Sequence, residues 1–441
     1  MKKTIFITIG LIAIMSILSI ATTISDTISQ IGGINNTGDF ITADPYIDIR
    51  YYGAVADDGL DDSSYINAAL NYCNSTGGCN LFIPQGEFHV DDWIQVPSNV
   101  TIYGAGKYLS KIVPTSRRGR FQPISTTVPS NNVVFRDFWV DGKGWGSSIM
   151  FFMSRAGRSD NITLRDIRVT NFNNTVCSFN GTNIRVEHCE FIDVCSGISV
   201  QKYDSNDFNR YYEYYFNDNI ITYDSVPCVH YTSTEYGEGI ELNRHGNGFA
   251  QITNNFISGF GEQLMDINIR DSVISGNTLV LSDTEVRTSH AMEISSENTE
   301  NNTNSIITGN TFVDLKYNQS GVYLNQFNSS IITNNNFFGL NNGTGISINI
   351  DNKDLTYELI ISNNHFRNLN VSVDDDVVHN ASIFSNTFSG VNNDIFNSFN
   401  SIVIEKTVFE NITSNSNISL KSPDNTVWSC GVNNDGTWSC A

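Results

Sequence analysis

One short motif recurs through the second half of the chain and limits what the chain can fold into. It reads SIITGNTFVDL at 305–315, SIITNNNFFGL at 330–340, LIISNNHFRNL at 359–369 and ASIFSNTFSGV at 381–391, with weaker copies at 250–260 and 271–281. Aligned, the copies bring Asn255, Asn277, Asn310, Asn335, Asn364 and Asn386 to one position, 22, 33, 25, 29 and 22 residues apart. That is about the length of one turn of a parallel β-coil, and its variability points to loops of unequal length between constant strands. Each copy alternates apolar and polar residues before and after the Asn, the period of a half-buried strand. Asparagines stacked at one bend can hydrogen-bond from turn to turn and satisfy backbone groups where the chain changes direction. The ladder is therefore read as structural. Copies nearer the N-terminus, 161–172 and 183–194, keep the alternation with Asp or Cys in the bend.

A stack of coils needs a lid, because its first rung would otherwise expose apolar interior and unpaired strand edge. The segment 48–112 supplies one. A strand and an Asp/Gly-rich turn lead to a short helix capped by Asp62 or Ser63, with Ile66, Ala69 and Leu70 on one face, then a strand ending at Pro84 and a turn through Gly86. The order Tyr52-Gly53-Ala54, Asp58-Gly59, Asp61-Asp62-Ser63, helix, Pro84, Gly86, Phe88, followed by Ser98 to Gly106, resembles the N-terminal signature of the pectate-lyase-like superfamily, which includes rhamnogalacturonase-like, epimerase-like and phage tailspike β-helices. The resemblance implies an all-β, single-stranded right-handed parallel β-helix over residues 46–421, with an N-terminal capping helix. Residues 422–441 read as a small hairpin cap, closed by Trp428 and Trp438 and stapled by Cys430 and Cys440.

Residues 1–21 have the form of a signal peptide: Lys2 and Lys3, an apolar run from Ile5 to Ile20, and a small-residue site at Ser19 to Ala21. Residues 22–45 read as a flexible lead-in. The expectation is a secreted or cell-surface protein, with no membrane association beyond the leader. Its eight cysteines then point to disulfides, Cys73 with Cys79 and Cys430 with Cys440, leaving three ways to connect Cys177, Cys189, Cys195 and Cys228. Sequons such as Asn99, Asn161, Asn318, Asn342 and Asn411 fit a glycoprotein, although a chain this rich in Asn, Ser and Thr generates them by chance. A net charge of −21 argues against nucleic acid or an anionic membrane as partner and counts mildly against a polyanionic substrate, although a local basic site or bound calcium could still hold a uronate; extracellular polysaccharide is the partner that the resemblance implies. A monomer and a homotrimer both remain open.

Each coil has a second strand with its own pattern: GISVQ (197–201), GIELN (239–243), LMDIN (264–268), AMEIS (291–295), GVYLN (321–325) and GISIN (345–349). With the apolar positions inward, the outward column reads Ser199, Glu241, Asp266, Glu293, Tyr323 and Ser347, beside Gln201, Asn243, Asn268, Ser295, Asn325 and Asn349. Three successive rungs thus present carboxylates. At ~5 Å between neighbours and ~10 Å between the outer two, they bracket the separations used in glycoside hydrolysis. Crowded like charges also push one pKa up, giving a proton donor beside an ionised base. Glu241, Asp266 and Glu293 are the candidate catalytic residues. Arg244, His245, Asn243, Asn268, Arg270, Tyr323 and Tyr236 are candidate substrate contacts, Tyr236 belonging to a tyrosine-rich insertion at 203–237. The solvated outward face of an acidic protein, or a calcium site made by the same carboxylates, accounts for the column equally simply.

The Asn-Thr-Asp, Gly-Asp-Asp, Gly-His-Gly and Arg-Ile-Lys segments of polygalacturonases and the Asp-Pro-His-Glu segment of alginate epimerases are absent. The leading expectation is a glycoside hydrolase acting on polysaccharide, of pectin or uronan type. The alternatives are a lyase using calcium with Arg244 or Arg270, and a non-catalytic carbohydrate-binding or structural β-helix.

Overall fold

The computed structural model describes residues 46–441, apart from 126, 144–148, 154–157, 202–210, 225–236, 261–262, 282–289, 296–302, 317–318, 326, 350–357, 371–373, 379, 390–396, 400–401, 406–407, 411–417, 422–426, 433–437 and 441. The proposed leader and lead-in lie outside this set. From Asp48 the chain is a right-handed parallel β-helix whose coils have three strands each, its last strand in the main sheet being Val408–Glu410.

Three stacks of parallel strands make three faces. The first begins with Cys79–Ile83, Val100–Gly104 and Val133–Arg136, the second with Gly86–Val90, Ser110–Pro114 and Trp139–Asp141, and the third with Ile94–Val96, Phe121–Pro123 and Phe151–Phe152. Register is kept from rung to rung. On the third face Ile198, Ile240, Met265, Met292, Val322 and Ile346 are successive Cα partners, and all are buried. Full burial of each such side chain contributes about 1.5–3 kcal/mol, and slipping one rung by one residue would turn its whole apolar set outward. Phe312, Phe337 and Phe366 stack inside the second face with centroids 4.6 and 4.7 Å apart.

These rings explain the small residues that open the third-face strands. A Cβ on Gly321 would sit 2.7 Å from Phe337 and 2.8 Å from the Gly345 carbonyl oxygen. Gly321→Ala is therefore expected to lower the unfolding free energy by about 1–3 kcal/mol by overpacking, measured by urea denaturation. An unchanged midpoint would show that the ring stack yields at no cost.

The repeat's bend is a two-residue device. A left-handed residue comes first: Asp218, Asn254, Gly276, Gly309, Asn334, Asn363 or Ser385, with φ between 55° and 68°. Asn, Asp and Gly tolerate that conformation best. The ladder Asn follows and points inward. Asn277 Nδ2, for example, donates to the Ile252 carbonyl and to Asn310 Oδ1, each at 2.9 Å, and Asn310 Oδ1 also accepts the Asn277 backbone N–H. The ladder extends one rung further back than the sequence alignment, to Asn219, which donates to Asn255 Oδ1 at 2.9 Å. Toward the N-terminus Phe138, Ile167 and Cys189 take the same inward place. A second, exposed ladder runs along another corner through Asn99, Asn132, Asn161 and Asn183, at 2.7–2.8 Å.

The helix Ser63–Ser75 forms the lid, with Ile66, Ala69, Leu70 and Cys73 buried and Cys73 disulfide-bonded to Cys79. Its start differs from the sequence expectation. Asp62 makes no side-chain cap, because its two carboxylate oxygens accept the backbone N–H groups of Val55 and His89 and stitch the preceding loop to the first rung. Asp61 accepts the Ser63 N–H instead, at 3.0 Å. The chain also turns through a 3-10 helix, Ile49–Tyr52, where a continuing strand was expected.

One expectation on cysteines needs correction. Cys177 and Cys189 are buried free thiols, each filling an interior position as a small apolar side chain, and burial pushes the Cys189 thiol up to about 12. Cys195 is disulfide-bonded. At the C-terminus Ile418–Lys421, Val427–Val432 and Trp438–Cys440 form an antiparallel sheet whose register sets Cys430 opposite Cys440.

On the outer side of the second face an ion cluster spans the first rungs. Glu87 accepts from Lys143 at 2.8 Å, contacts His89 at 2.7 Å and lies 3.4 Å from Lys111, which sits 3.9 Å above the Trp139 ring. Lys143 and these neighbours hold the Glu87 carboxyl down to about 2. A depressed carboxylate pKa stabilises the fold above its unfolded value near 4.5 and loses that contribution as pH falls toward 2. Because solvent screens the cluster, wild type is expected to lose roughly 1 kcal/mol more than Glu87→Gln between pH 5 and pH 2.5 in denaturation experiments. Equal losses would remove the cluster from the pH response.

Candidate active site

The carboxylate column is set by strand register on the third face. Ser199 is the Cα partner of Glu241, Glu241 of Asp266, Asp266 of Glu293, Glu293 of Tyr323 and Tyr323 of Ser347. The flanking residues are buried inward, so Glu241, Asp266, Glu293 and Tyr323 project outward and are half-buried. Neighbouring strands in such a sheet lie about 4.8 Å apart, which fixes the spacing of the backbones that carry the acids.

The carboxylates have different surroundings. The Ser199 hydroxyl donates to Glu241 Oε2 at 2.6 Å. Burial pushes the Glu293 carboxyl up, partly offset by a 3.0 Å hydrogen bond from Gln263 Nε2 to Oε2. Two side chains three residues upstream complete the patch. Gln263 precedes Asp266, His290 precedes Glu293, and the two are Cα partners. His290 lies flat on Tyr323, with centroids 3.9 Å apart and planes within 5°. Burial lowers its pKa to about 4, which keeps the imidazole neutral at physiological pH.

The other expected contacts fare differently. Asn268 is buried, only 7% exposed, and is withdrawn from the outer surface. Arg270 is exposed but lies past the corner: Asp271, its neighbour in sequence, pairs with Phe249 on the first face, and Arg270 Nη1 donates to Asn247 Oδ1 at 3.4 Å. For Asn243, Arg244 and His245 the backbone continues the strand Ile240–Thr253, and their side chains lie outside the described residues, as does Tyr236.

The insertion at 203–237 is corrected in its centre. Tyr212–Asn217 and Ile220–Thr222 are strands of a regular rung, paired with the rungs on both sides. Tyr212 and Tyr214 face the core, and Tyr215 lies on the outer side with the Arg185 guanidinium 4.1 Å from its ring centre. Tyrosine in place of aliphatic residues hid this rung's alternation. Gln263 was also missed. The signal available was its spacing of three before Asp266, which His290 repeats before Glu293.

No protein-family model matches the chain, and no curated protein matches it in sequence. Among solved structures it is similar to PfbA, a surface adhesin of Streptococcus pneumoniae, at 14% identity and a TM-score of 0.49, covering 90% of this chain and 100% of that one. It is also similar to a mutant tailspike protein of E. coli bacteriophage HK620 in complex with a hexasaccharide, at 13% identity and a TM-score of 0.49, covering 85% of this chain and 80% of that one. A second mutant of that tailspike, in complex with a pentasaccharide, gives 14% and 0.48 over the same shares. The family of this chain stays unassigned, and its fold, fixed by its own strand register, is the right-handed parallel β-helix.

Proposed function

We propose that the chain is an extracellular carbohydrate-active protein that hydrolyses a glycosidic bond at the third-face carboxylate column. The observation that carries this reading is the in-register placement of Glu241, Asp266 and Glu293 in unlike surroundings. Glu293, raised by burial, serves as the acid and protonates the departing glycosidic oxygen. Asp266 on the adjacent rung, or Glu241 one rung beyond with its hydrogen bond from Ser199, supplies the base that activates water or the nucleophile that attacks the sugar. Extracellular placement is supported by the leader-like N-terminus and by disulfide use.

Among the described residues no three His, Cys, Asp or Glu side chains converge as a metal site, and the scheme is written in side-chain chemistry alone.

The test is a panel of neutral and uronate polysaccharides, scored for new reducing ends and for unsaturated product absorbing in the ultraviolet. Hydrolysis predicts reducing ends without unsaturation, lost in Asp266→Asn or Glu241→Gln. Unsaturated product would replace the hydrolase with a lyase, and no cleavage by folded protein would leave a binder or structural rod.

A further inference from the structure

Two buried polar atoms beside Glu293 have no hydrogen-bond partner among the described residues: Gln263 Oε1 and His290 Nδ1. Both belong to residues on the outer side of the third face, in the row next to the carboxylate column. Leaving such an atom unsatisfied carries a desolvation penalty, so two of them in one outward patch call for a group that the described residues do not supply.

The chemistry of that group follows from the two atoms. Gln263 has spent an amide N–H on Glu293, and its free carbonyl oxygen only accepts. His290 is a neutral imidazole, and its Nδ1 accepts or donates according to tautomer. A hydroxyl serves both, since it donates one proton and offers two lone pairs. A carboxylate offers no proton to the Gln263 oxygen and would lie against Asp266 and Glu293. The stack on Tyr323 fixes the plane of the imidazole, so the direction of its Nδ1 lone pair or N–H is set before a ligand arrives.

We propose that Gln263, His290 and Tyr323 form a subsite beside Glu293 that takes the hydroxyl-bearing ring of a neutral sugar and rejects a uronate. The inference rests on the carboxylate column as the place where a glycan lies, and it takes the place of the uronan-type substrate expected from the sequence.

The experiment is calorimetric titration of the full chain in a Glu241→Gln background, which limits turnover and touches neither Gln263 nor His290. The probes are hexasaccharides from dextran, galactan and mannan, with hexagalacturonate and a hexameric alginate fragment as uronates. At least one neutral probe is expected to bind tenfold or more tighter than either uronate. His290→Phe, which keeps a flat ring on Tyr323, and Gln263→Met should each weaken that binding about tenfold, with unchanged circular dichroism. Uronates binding as tightly, no neutral probe binding, or affinity indifferent to both substitutions would overturn the subsite; indifference is the result expected if water alone fills it. The two readings can fail separately. Neutral-sugar binding that depends on His290, with no cleavage by wild type, sinks the hydrolase and keeps the subsite. Cleavage that needs Glu293, with affinity indifferent to His290→Phe and Gln263→Met, does the reverse.

Discussion

Asn310→Ala is expected to lower the unfolding free energy by about 3–5 kcal/mol in urea denaturation, far more than the usual cost of losing one polar side chain. Asn310 is fully buried in the middle of the ladder. Its Oδ1 accepts both the backbone N–H and the Nδ2 of Asn277, and its Nδ2 donates to the Ile274 carbonyl and to Asn335 Oδ1. Alanine removes these bonds, and a further one from Nδ2 to the Thr308 carbonyl, and leaves groups on two neighbouring rungs facing a small void. The Asn277 backbone N–H loses its acceptor outright, and each buried group so stranded costs about 1–3 kcal/mol. Asn161→Ala on the exposed ladder is the control. It also breaks rung-to-rung amide bonds, but water replaces them, and the expected cost is about 1–2 kcal/mol, most of it the strain of an alanine in the left-handed region. Similar costs at the two sites would mean that the inner ladder is not what closes the bend.

Glu293→Gln is expected to cut glycoside cleavage by about 10²–10⁴-fold on whatever polysaccharide the wild type hydrolyses. Glutamine keeps the size of the side chain and can still accept the hydrogen bond from Gln263 Nε2, so the fold should be unaffected. What it lacks is a transferable proton. The pH profile carries the stronger test. Because burial raises the Glu293 pKa, the acid form persists above the ordinary carboxylate range, and wild-type activity falls as pH rises through that raised value. Residual activity of the variant should lack this alkaline limb. If the variant keeps both the rate and the limb, the proton donor lies elsewhere on the column.

Much of this architecture is legible in the sequence for a local reason. In the second half of the chain the bend is a left-handed residue followed by an inward asparagine, so Gly276-Asn277, Gly309-Asn310, Asn334-Asn335 and Asn363-Asn364 mark those coils by their own chemistry. Strand alternation then assigns inside and outside, and the shared pattern of the third-face strands puts Glu241, Asp266, Glu293 and Tyr323 in one column, which is the register the structure shows. Where the local signal was overwritten, the reading went astray. Tyr212 and Tyr214 fill interior positions that an aliphatic residue would have announced, and Asp62 was assigned to the helix although its carboxylate serves Val55 and His89.

The sequence by itself therefore determined the coil, the lid and the carboxylate column, because each depends on residues close along the chain or repeating at one bend. Tertiary structure alone decided the partners across rungs: Gln263 against Glu293, His290 flat on Tyr323, Arg270 carried around the corner, and Cys177 and Cys189 left as thiols. The physical reason is that loops of unequal length separate the strands, so which side chain meets which depends on how those loops return the chain to register, and no local pattern encodes it.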